Sequence, residues 1–375
     1  MEISSFIVMD ILERAKELEA AGIDVVHMEV GEPDFPTPDE VIEAGRRALK
    51  DKVTFYTQSV GIPQLKEQIA RHYQEVYGIE VSPQRIVLTP GSSPALMAAL
   101  RVTLEKGGTC GLPDPGYPCY KNMVNFFGGR WKPLNLSAEH GFKVLPQHLK
   151  GIDVVVLNSP SNPTGAVYSA DELRELVERA TERGITIISD EIYHGISYTS
   201  HHLPSVLEFT DRAIVVNGFS KFFLMTGWRL GWMVVPQEMV RLMQCIAQNL
   251  FICPPAVAQH AALACFTPQV MGQLKEKVAI YRQRRDYMVN ALVSMGIPVN
   301  PVPQGAFYIY ADVSAYTKDS FGFCKRALEE AHIGITPGVD FGSNGTNLYI
   351  RFSYANTMDR LKEGMRRLKE WLASS

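Results

Sequence analysis

The chain has 375 residues, of which 46% are apolar and 21% charged, with a formal net charge of −3. That composition excludes a disordered chain and suffices for two domains, or for one large α/β domain with an appended lobe. The near-neutral balance gives no electrostatic reason to expect nucleic acid or an anionic membrane as partner.

The N-terminal stretch "MEISSFIVMDILERAKELEAAG" is rich in acids and has no basic region, so it does not read as a secretory signal. The first 45 residues hold one helix and a Gly/Pro-rich turn, too little for a core of their own. They are expected to pack with the C-terminal part of the chain. No run approaches the ~20 uninterrupted apolar residues that span a bilayer, and a cytoplasmic soluble protein is the expectation. Six scattered cysteines without a C-x-x-C pair suit a reducing compartment. Among nine histidines there is no H-E-x-x-H, and no metal is expected; His201 and His202 read as a surface loop.

From residue 85 to 235, short β-rich runs alternate with helical ones. Strands are predicted at "RIVLT" (85–89), "TCGL" (109–112), "DVVVL" (153–157), "ITIIS" (185–189), "AIVVN" (213–217) and "WMVV" (232–235). One intervening helix carries its own signals: a capping-box spacing at Ser169 and Glu172, an apolar face of Leu173, Leu176, Val177 and Ala180, and Gly184 to end it. A long helix is predicted around 274–295, ending at Gly296, and its cluster "RQRR" (282–285) reads as a solvated face. The last helix is expected to be capped by Asn356, with Leu361, Met365, Leu368 and Leu372 on one stripe. The domain reading is a large domain at 46–283 and a small one made of 1–45 with 284–375.

In open α/β sheets, ligands bind beyond the carboxyl ends of the strands. Five predicted strands are followed there by unusual loops: "PGSSPAL" with Ser92 and Ser93, "PDPGYPCY" with Tyr117, "NSPSNPTG" with Asn162, then Asp190 with Tyr193, then Ser220 with Lys221. Each has a plain reading. The serines could cap a helix, "NPTG" could be a turn, Asp190 could be a cap, and Lys221 could reach solvent. Together they fit one chemistry. A deprotonated lysine forms a Schiff base with an aldehyde, and pyridoxal phosphate supplies the aldehyde, an electron-sink ring and a dianion. Asp190 would face the ring nitrogen, Asn162 and Tyr193 the ring phenolate, and Tyr117 the ring face. Ser92 and Ser93 at a helix N-terminus, with Ser220 and Arg229, would hold the dianion.

These segments, with "GEPDF" (31–35), "FYTQSVG" (55–61), "SKFFLMTGWRLGW" (220–232) and "RFSYA" (351–355), resemble the class I/II aminotransferases of fold type I over most of the chain. The resemblance implies an α/β fold with a mainly parallel central sheet flanked by helices, plus a smaller α+β domain. It implies that Lys221 is the Schiff-base lysine and proton shuttle, and that Arg351 pairs with the substrate α-carboxylate near the Gly31 backbone. Tyr56 would reach the cofactor phosphate of a neighbouring subunit, which implies a homodimer with shared sites. The sequence departs from many relatives at Pro94, and no second arginine argues by its position for a substrate side-chain carboxylate. The activity implied is transfer of an amino group between an L-amino acid and a 2-oxo acid. The alternative on this scaffold is a carbon–sulfur lyase or another α,β-elimination enzyme. A cofactor-fold regulator would need a DNA-binding module, which fits nowhere here, and a dehydrogenase would need a G-x-G-x-x-G after the first strand.

Overall fold

Buried strands in a sheet covered on both faces need apolar side chains on both, and that requirement organises this chain. In the computed structural model, which describes residues 3–104 and 107–374, Val154 and Val156 enter one core while Val155 and Leu157, from the same strand, enter the other. The strands, in chain order, are β1 (Val26–His27), β2 (Ile86–Thr89), β3 (Thr109–Asp114), β4 (Arg130–Asn135), β5 (Val154–Asn158), β6 (Thr186–Asp190), β7 (Ile214–Gly218), β8 (Gly231–Val234), β9 (Tyr308–Asp312), β10 (Ile333–Gly334), β11 (Thr336–Pro337) and β12 (Tyr349–Ser353).

The large sheet has the order β2-β8-β7-β6-β5-β3-β4. β8 runs antiparallel to both of its neighbours, while β3 to β7 pair in parallel. All six predicted strands are present within a residue or two. β4 was not predicted. Its sequence "RWKPLN" is largely exposed and carries Pro133, which an edge strand tolerates because one side of it needs no hydrogen-bond partner. β11, β12 and β9 form a small antiparallel sheet, and β1 pairs in parallel with β10.

The helix Ala170–Glu182 has the expected capping box of Ser169 with Glu172, the expected buried face, and Gly184 at φ +67° just beyond it. Other expectations need correction. The first 45 residues contain the helix Ile7–Ala20 and most of a second one, Asp39–Lys50. The long helix begins earlier, at Pro268, with the Thr267 side chain accepting from the Val270 N–H, and runs to Ser294. The last helix, Met358–Ser374, is capped by Thr357, whose hydroxyl accepts from the Arg360 N–H (3.3 Å); Asn356 instead donates to the His27 carbonyl (3.0 Å). Nor is "RQRR" a solvated face throughout. Arg284 is buried, with an ion pair to Asp34 of "GEPDF" at 2.7 Å and its guanidinium 4.8 Å from the Phe35 ring. A buried guanidinium needs such a partner, and this one fastens the "GEPDF" turn to the long helix.

Both expected domain boundaries fall inside helices, Asp39–Lys50 and Pro268–Ser294. Residues 7–28 lie with the C-terminal part: β1 pairs with β10, and the helix N-terminus is held by Asp340. Among the described residues no helix is long and apolar enough to cross a membrane.

Candidate active site

Parallel strands deliver their carboxyl ends to one edge of the sheet, so β5, β6 and β7 end side by side at Asn158, Asp190 and Gly218. The helix Ser92–Thr103 begins at that same edge. Between them and β12 lies a cavity of about 230 Å³. Of the predicted site residues, all but Ser220, Arg229 and Tyr56 line it.

Lys221 donates from Nζ to the Gly31 carbonyl at 2.5 Å, and its ammonium sits 5.9 Å from the ring centres of Tyr193 and Phe307. Burial pulls its pKa down to about 8; Glu32 opposes this, while the Arg351 and Arg229 charges add to it. Close to neutrality a useful fraction is therefore the free amine.

Asp190, at the end of β6, is buried. Its Oδ2 accepts from the Tyr120 hydroxyl (2.5 Å) and its Oδ1 from the Ile192 N–H (3.2 Å). Burial pushes its pKa up to about 6, against these two donors and the Lys221 charge. The carboxylate is thus charged at pH 7, in a place that disfavours charge unless a cation or a donor faces it.

Arg351, on β12, is 2% exposed. It donates to Asn162 Oδ1 (2.9 Å), to the Glu29 carbonyl and to Thr336 Oγ1 (3.3 Å), and lies 4.5 Å from the Tyr308 ring centre. Its Nε is buried and has no partner within the described chain. Asn162 is itself fixed through its N–H, which donates to Asn158 Oδ1 (2.8 Å). Tyr193 shares a hydrogen bond with Tyr308 (2.7 Å), and burial pushes its hydroxyl pKa well above the ordinary value. Gly31 must be glycine, since a Cβ there would lie 2.0 Å from the Tyr308 hydroxyl.

The remaining predicted residues sit around the helix N-terminus or away from the cavity. Gly91 precedes Ser92 at φ +100°, and a Cβ on it would meet the Arg229 guanidinium at 2.7 Å. Gly231, at the start of β8, lets backbone pass where a Cβ would lie 2.8 Å from the Ser92 nitrogen. A cation, free backbone N–H groups and two hydroxyls therefore converge there, a donor set suited to a dianion. Ser220 is buried and Arg229 exposed, the latter donating to the Thr226 carbonyl at 3.0 Å. Tyr56 is 79% exposed, outside the cavity of its own chain.

Three contributors were not legible as such in the sequence. Tyr120 stands three residues after Tyr117, in the first turn of the helix Cys119–Phe126, and that spacing was its only signal. Asn158 ties β5 to β6 by donating to the Asp190 carbonyl (2.9 Å), and it was visible only as the first residue after "DVVVL". Tyr308 sits in an unremarkable strand pattern, and nothing local marks it.

An amine of lowered pKa, a buried carboxylate and a buried guanidinium around one cavity at the carboxyl edge of an α/β sheet suit an enzyme that uses a carbonyl cofactor. The sequence matches the family described as "Aminotransferase class I and II" over residues 23–368. It is 38% identical to the (5-formylfuran-3-yl)methyl phosphate transaminase of Methanocaldococcus jannaschii, covering 99% of this chain and 98% of that one. Identity to the valine–pyruvate aminotransferase of Mycobacterium tuberculosis is 36%, covering 98% and 96%. Among solved structures, an aminotransferase from Mycobacterium tuberculosis superposes with a TM-score of 0.96 at 35% identity, covering 100% and 98%. The chain belongs to the class I and II aminotransferases. It is accordingly a pyridoxal-phosphate-dependent transaminase, and these relatives lend no support to a carbon–sulfur lyase. The donor set at Gly91–Ser93, the depressed amine of Lys221 and the charged Asp190 fit that cofactor's phosphate, aldehyde and ring nitrogen.

Proposed function

We propose that Lys221 is the residue that holds the cofactor and moves the proton, with Asp190 as partner of its ring nitrogen. The observation that carries this is an amine with depressed proton affinity sharing one cavity with a buried carboxylate and a buried guanidinium. When bound, pyridoxal phosphate supplies an electron sink for the carbanion left after the α-proton is removed. The protein's own groups do the rest. Neutral Lys221 accepts a proton at Nζ and returns it nearby, and its hydrogen bond to the Gly31 carbonyl orients the amine. Tyr120 and the Ile192 N–H hold the Asp190 carboxylate in its charged form. Arg351 offers a planar fork to an α-carboxylate, aligned by Asn162 and stacked on Tyr308. Asn162 and Tyr193 serve the ring phenolate, Tyr117 the ring face, and Ser92, Ser93, Ser220 and Arg229 the phosphate.

A cytoplasmic homodimer with shared sites belongs to the same proposal. Tyr56 reaches the neighbouring subunit's phosphate, for which its exposure in the single chain leaves it free. So does a two-domain division, with the 46–283 segment carrying the large sheet and the chain ends forming the smaller unit. Borohydride reduction of the holoenzyme followed by peptide mapping tests the core of the reading. The cofactor mass belongs on the peptide containing Lys221, and finding it on another lysine would end the assignment. The relatives' named substrates diverge, from aspartate to a furan phosphate, so they do not choose one for this chain.

A further inference from the structure

Two main-chain carbonyls of one short segment receive both cationic side chains of the site. Gly31 accepts from Lys221 Nζ, and Glu29 accepts from the Arg351 guanidinium and from Thr336 Oγ1 (3.1 Å). Whatever fixes residues 27–31 therefore fixes the fork that Arg351 offers. The backbone just after β1 is paired on both sides: the Met28 N–H donates to the Gly334 carbonyl (2.9 Å), and the Met28 carbonyl accepts from the Ser353 N–H (2.7 Å). The Glu29 side chain adds something that packing alone does not need. It is fully buried, and its Oε2 has no partner among the described residues. Gly334 leaves it room, since a Cβ there would lie 2.1 Å from that oxygen.

A buried carboxylate needs a cation, and among the described residues the one that pairs with it is His27. The His27 Nδ1 lies 2.6 Å from Glu29 Oε1, and its Nε2 lies 3.0 Å from Oε1 of the half-exposed Glu19. The hydrogen bond with Glu29 raises the His27 pKa above its ordinary value; burial opposes this, and Glu19 adds to it. The other charges around the pair are engaged elsewhere. Lys16 meets Glu19 at 2.8 Å, while Arg360 and Arg367 of the last helix meet Asp24 at 2.9 and 2.5 Å. The His332 ring faces the Leu328 carbonyl (3.4 Å). Arg351 touches the carbonyl of Glu29, not its carboxylate.

We infer that His27 and Glu29 are positioning residues for the substrate-carboxylate site: protonated His27 holds the Glu29 side chain, Glu29 presents its carbonyl to Arg351, and loss of the His27 proton weakens carboxylate binding. The inference rests on the role proposed for Arg351. A histidine whose folded pKa is raised contributes fully below its ordinary value of ~6.5, and that contribution is lost as pH rises through the raised value. Above it Glu29 keeps a buried charge with no cation, and the segment that carries both carbonyls bears the cost. Linkage makes the coupling reciprocal, so a bound carboxylate favours the His27 proton by the same factor. Arg351 meets the carboxylate in ground and transition state alike, which places the effect on KM rather than on kcat.

The test uses the holoenzyme in its pyridoxamine form with a panel of 2-oxo acids, which have no amine to titrate: pyruvate, 2-oxoglutarate, phenylpyruvate and 4-methyl-2-oxopentanoate. For the best of them, wild-type KM should rise about tenfold between about pH 6 and about pH 9.5 as the His27 proton is lost. His27→Gln should show the raised KM already at about pH 7. Any limb that Lys221 contributes is common to both proteins and cancels in the comparison. Glu29→Gln removes the buried charge but keeps an acceptor, so it should hold the low KM throughout. Added to His27→Gln, it should restore most of the lost affinity, because neutralising both partners leaves no orphaned charge. Urea unfolding of the cofactor-free protein gives a readout apart from turnover. The advantage of wild type over His27→Gln should be present at about pH 6 and shrink by about pH 9.5. Parallel KM profiles for wild type and His27→Gln would overturn the inference, as would a double variant without rescue. A pH-dependent loss of stability with KM unmoved would overturn it too, leaving a structural ion pair. Failure of every oxo acid to convert the cofactor in wild type would instead remove the underlying assignment of the site, and the inference with it.

Discussion

Replacing Asp190 by Asn should make the protein more stable and a far worse enzyme. The carboxyl is raised from 3.8 to about 6, with burial as the first cause. A rise of about two, at ~1.36 kcal/mol for each pKa unit, puts the cost of the buried charge at about 3 kcal/mol at pH 7. Asn keeps an acceptor for the Ile192 N–H and presents an amide to the Tyr120 oxygen, so most of the geometry survives. The loss of attraction to Lys221 trims the gain, making about 3 kcal/mol a ceiling. The pH dependence has a definite sign. A carboxyl whose folded pKa lies above its unfolded value contributes most when protonated, and that contribution is lost as pH rises from about 4 to about 6. The stability advantage of Asp190→Asn should therefore open across that window and stay constant above it. Urea unfolding of the cofactor-free protein, at about pH 4.5 and again at about pH 7, measures this. Single-turnover rates of the holoenzyme supply the other half, with an expected loss of ~10²-fold or more from the missing preorganised charge. A variant that unfolds at lower urea than wild type at pH 7, with turnover intact, would contradict both expectations and leave Asp190 as a cap for Ile192.

Covalent attachment of cofactor to the cofactor-free protein should accelerate with a midpoint near pH 8, because burial favours the neutral form of Lys221; a midpoint near the ordinary lysine value would show an amine in free solvent. Gly31→Ala should lower the unfolding midpoint by the equivalent of about 1–3 kcal/mol through collision with the Tyr308 hydroxyl. Tyr308→Phe in the same chain should restore part of it, and no recovery would mean the clash lies elsewhere. A mixed dimer of Tyr56→Ala and Lys221→Ala chains, isolated with two tags, should regain about half of wild-type activity because one of its two sites carries no lesion; no activity above the parents would remove Tyr56 from the neighbouring subunit's site.

The sheet was legible because burial on both faces writes itself as continuous Val/Ile/Leu runs, as in "DVVVL", "ITIIS" and "AIVVN", three of the strands that site loops follow. β4 escaped for the opposite reason, since an exposed edge strand has no such requirement. Lys221, Asp190 and Asn162 were legible because unusual loops follow five predicted strands at one sheet edge and together fit one chemistry. Arg351 and Tyr56 carried no local oddity and came only through resemblance. Tyr308 and Asp340 were not readable at all. Their meaning lies in contacts such as Asp340 with Ile7, made between opposite ends of the chain. The "RQRR" cluster misled because a helix pattern does not reveal that Asp34 waits beneath Arg284.

The reversed direction of β8 has a consequence for how this enzyme can vary. β7 leaves the sheet at Gly218 and its antiparallel neighbour re-enters at Gly231, so residues 219–230 must depart from and return to the same edge. Lys221 and Arg229 both ride on that excursion. Their separation is consequently a property of one short loop, unlike the separation of Asp190 from Arg351, which the whole fold sets. Lengthening the loop by one residue shifts the amine and the guanidinium against each other without disturbing either strand. Insertion scanning should find residues 219–230 intolerant throughout, whereas exposed turns on the opposite edge, at Arg183–Gly184 and Asp211–Arg212, should accept extra residues.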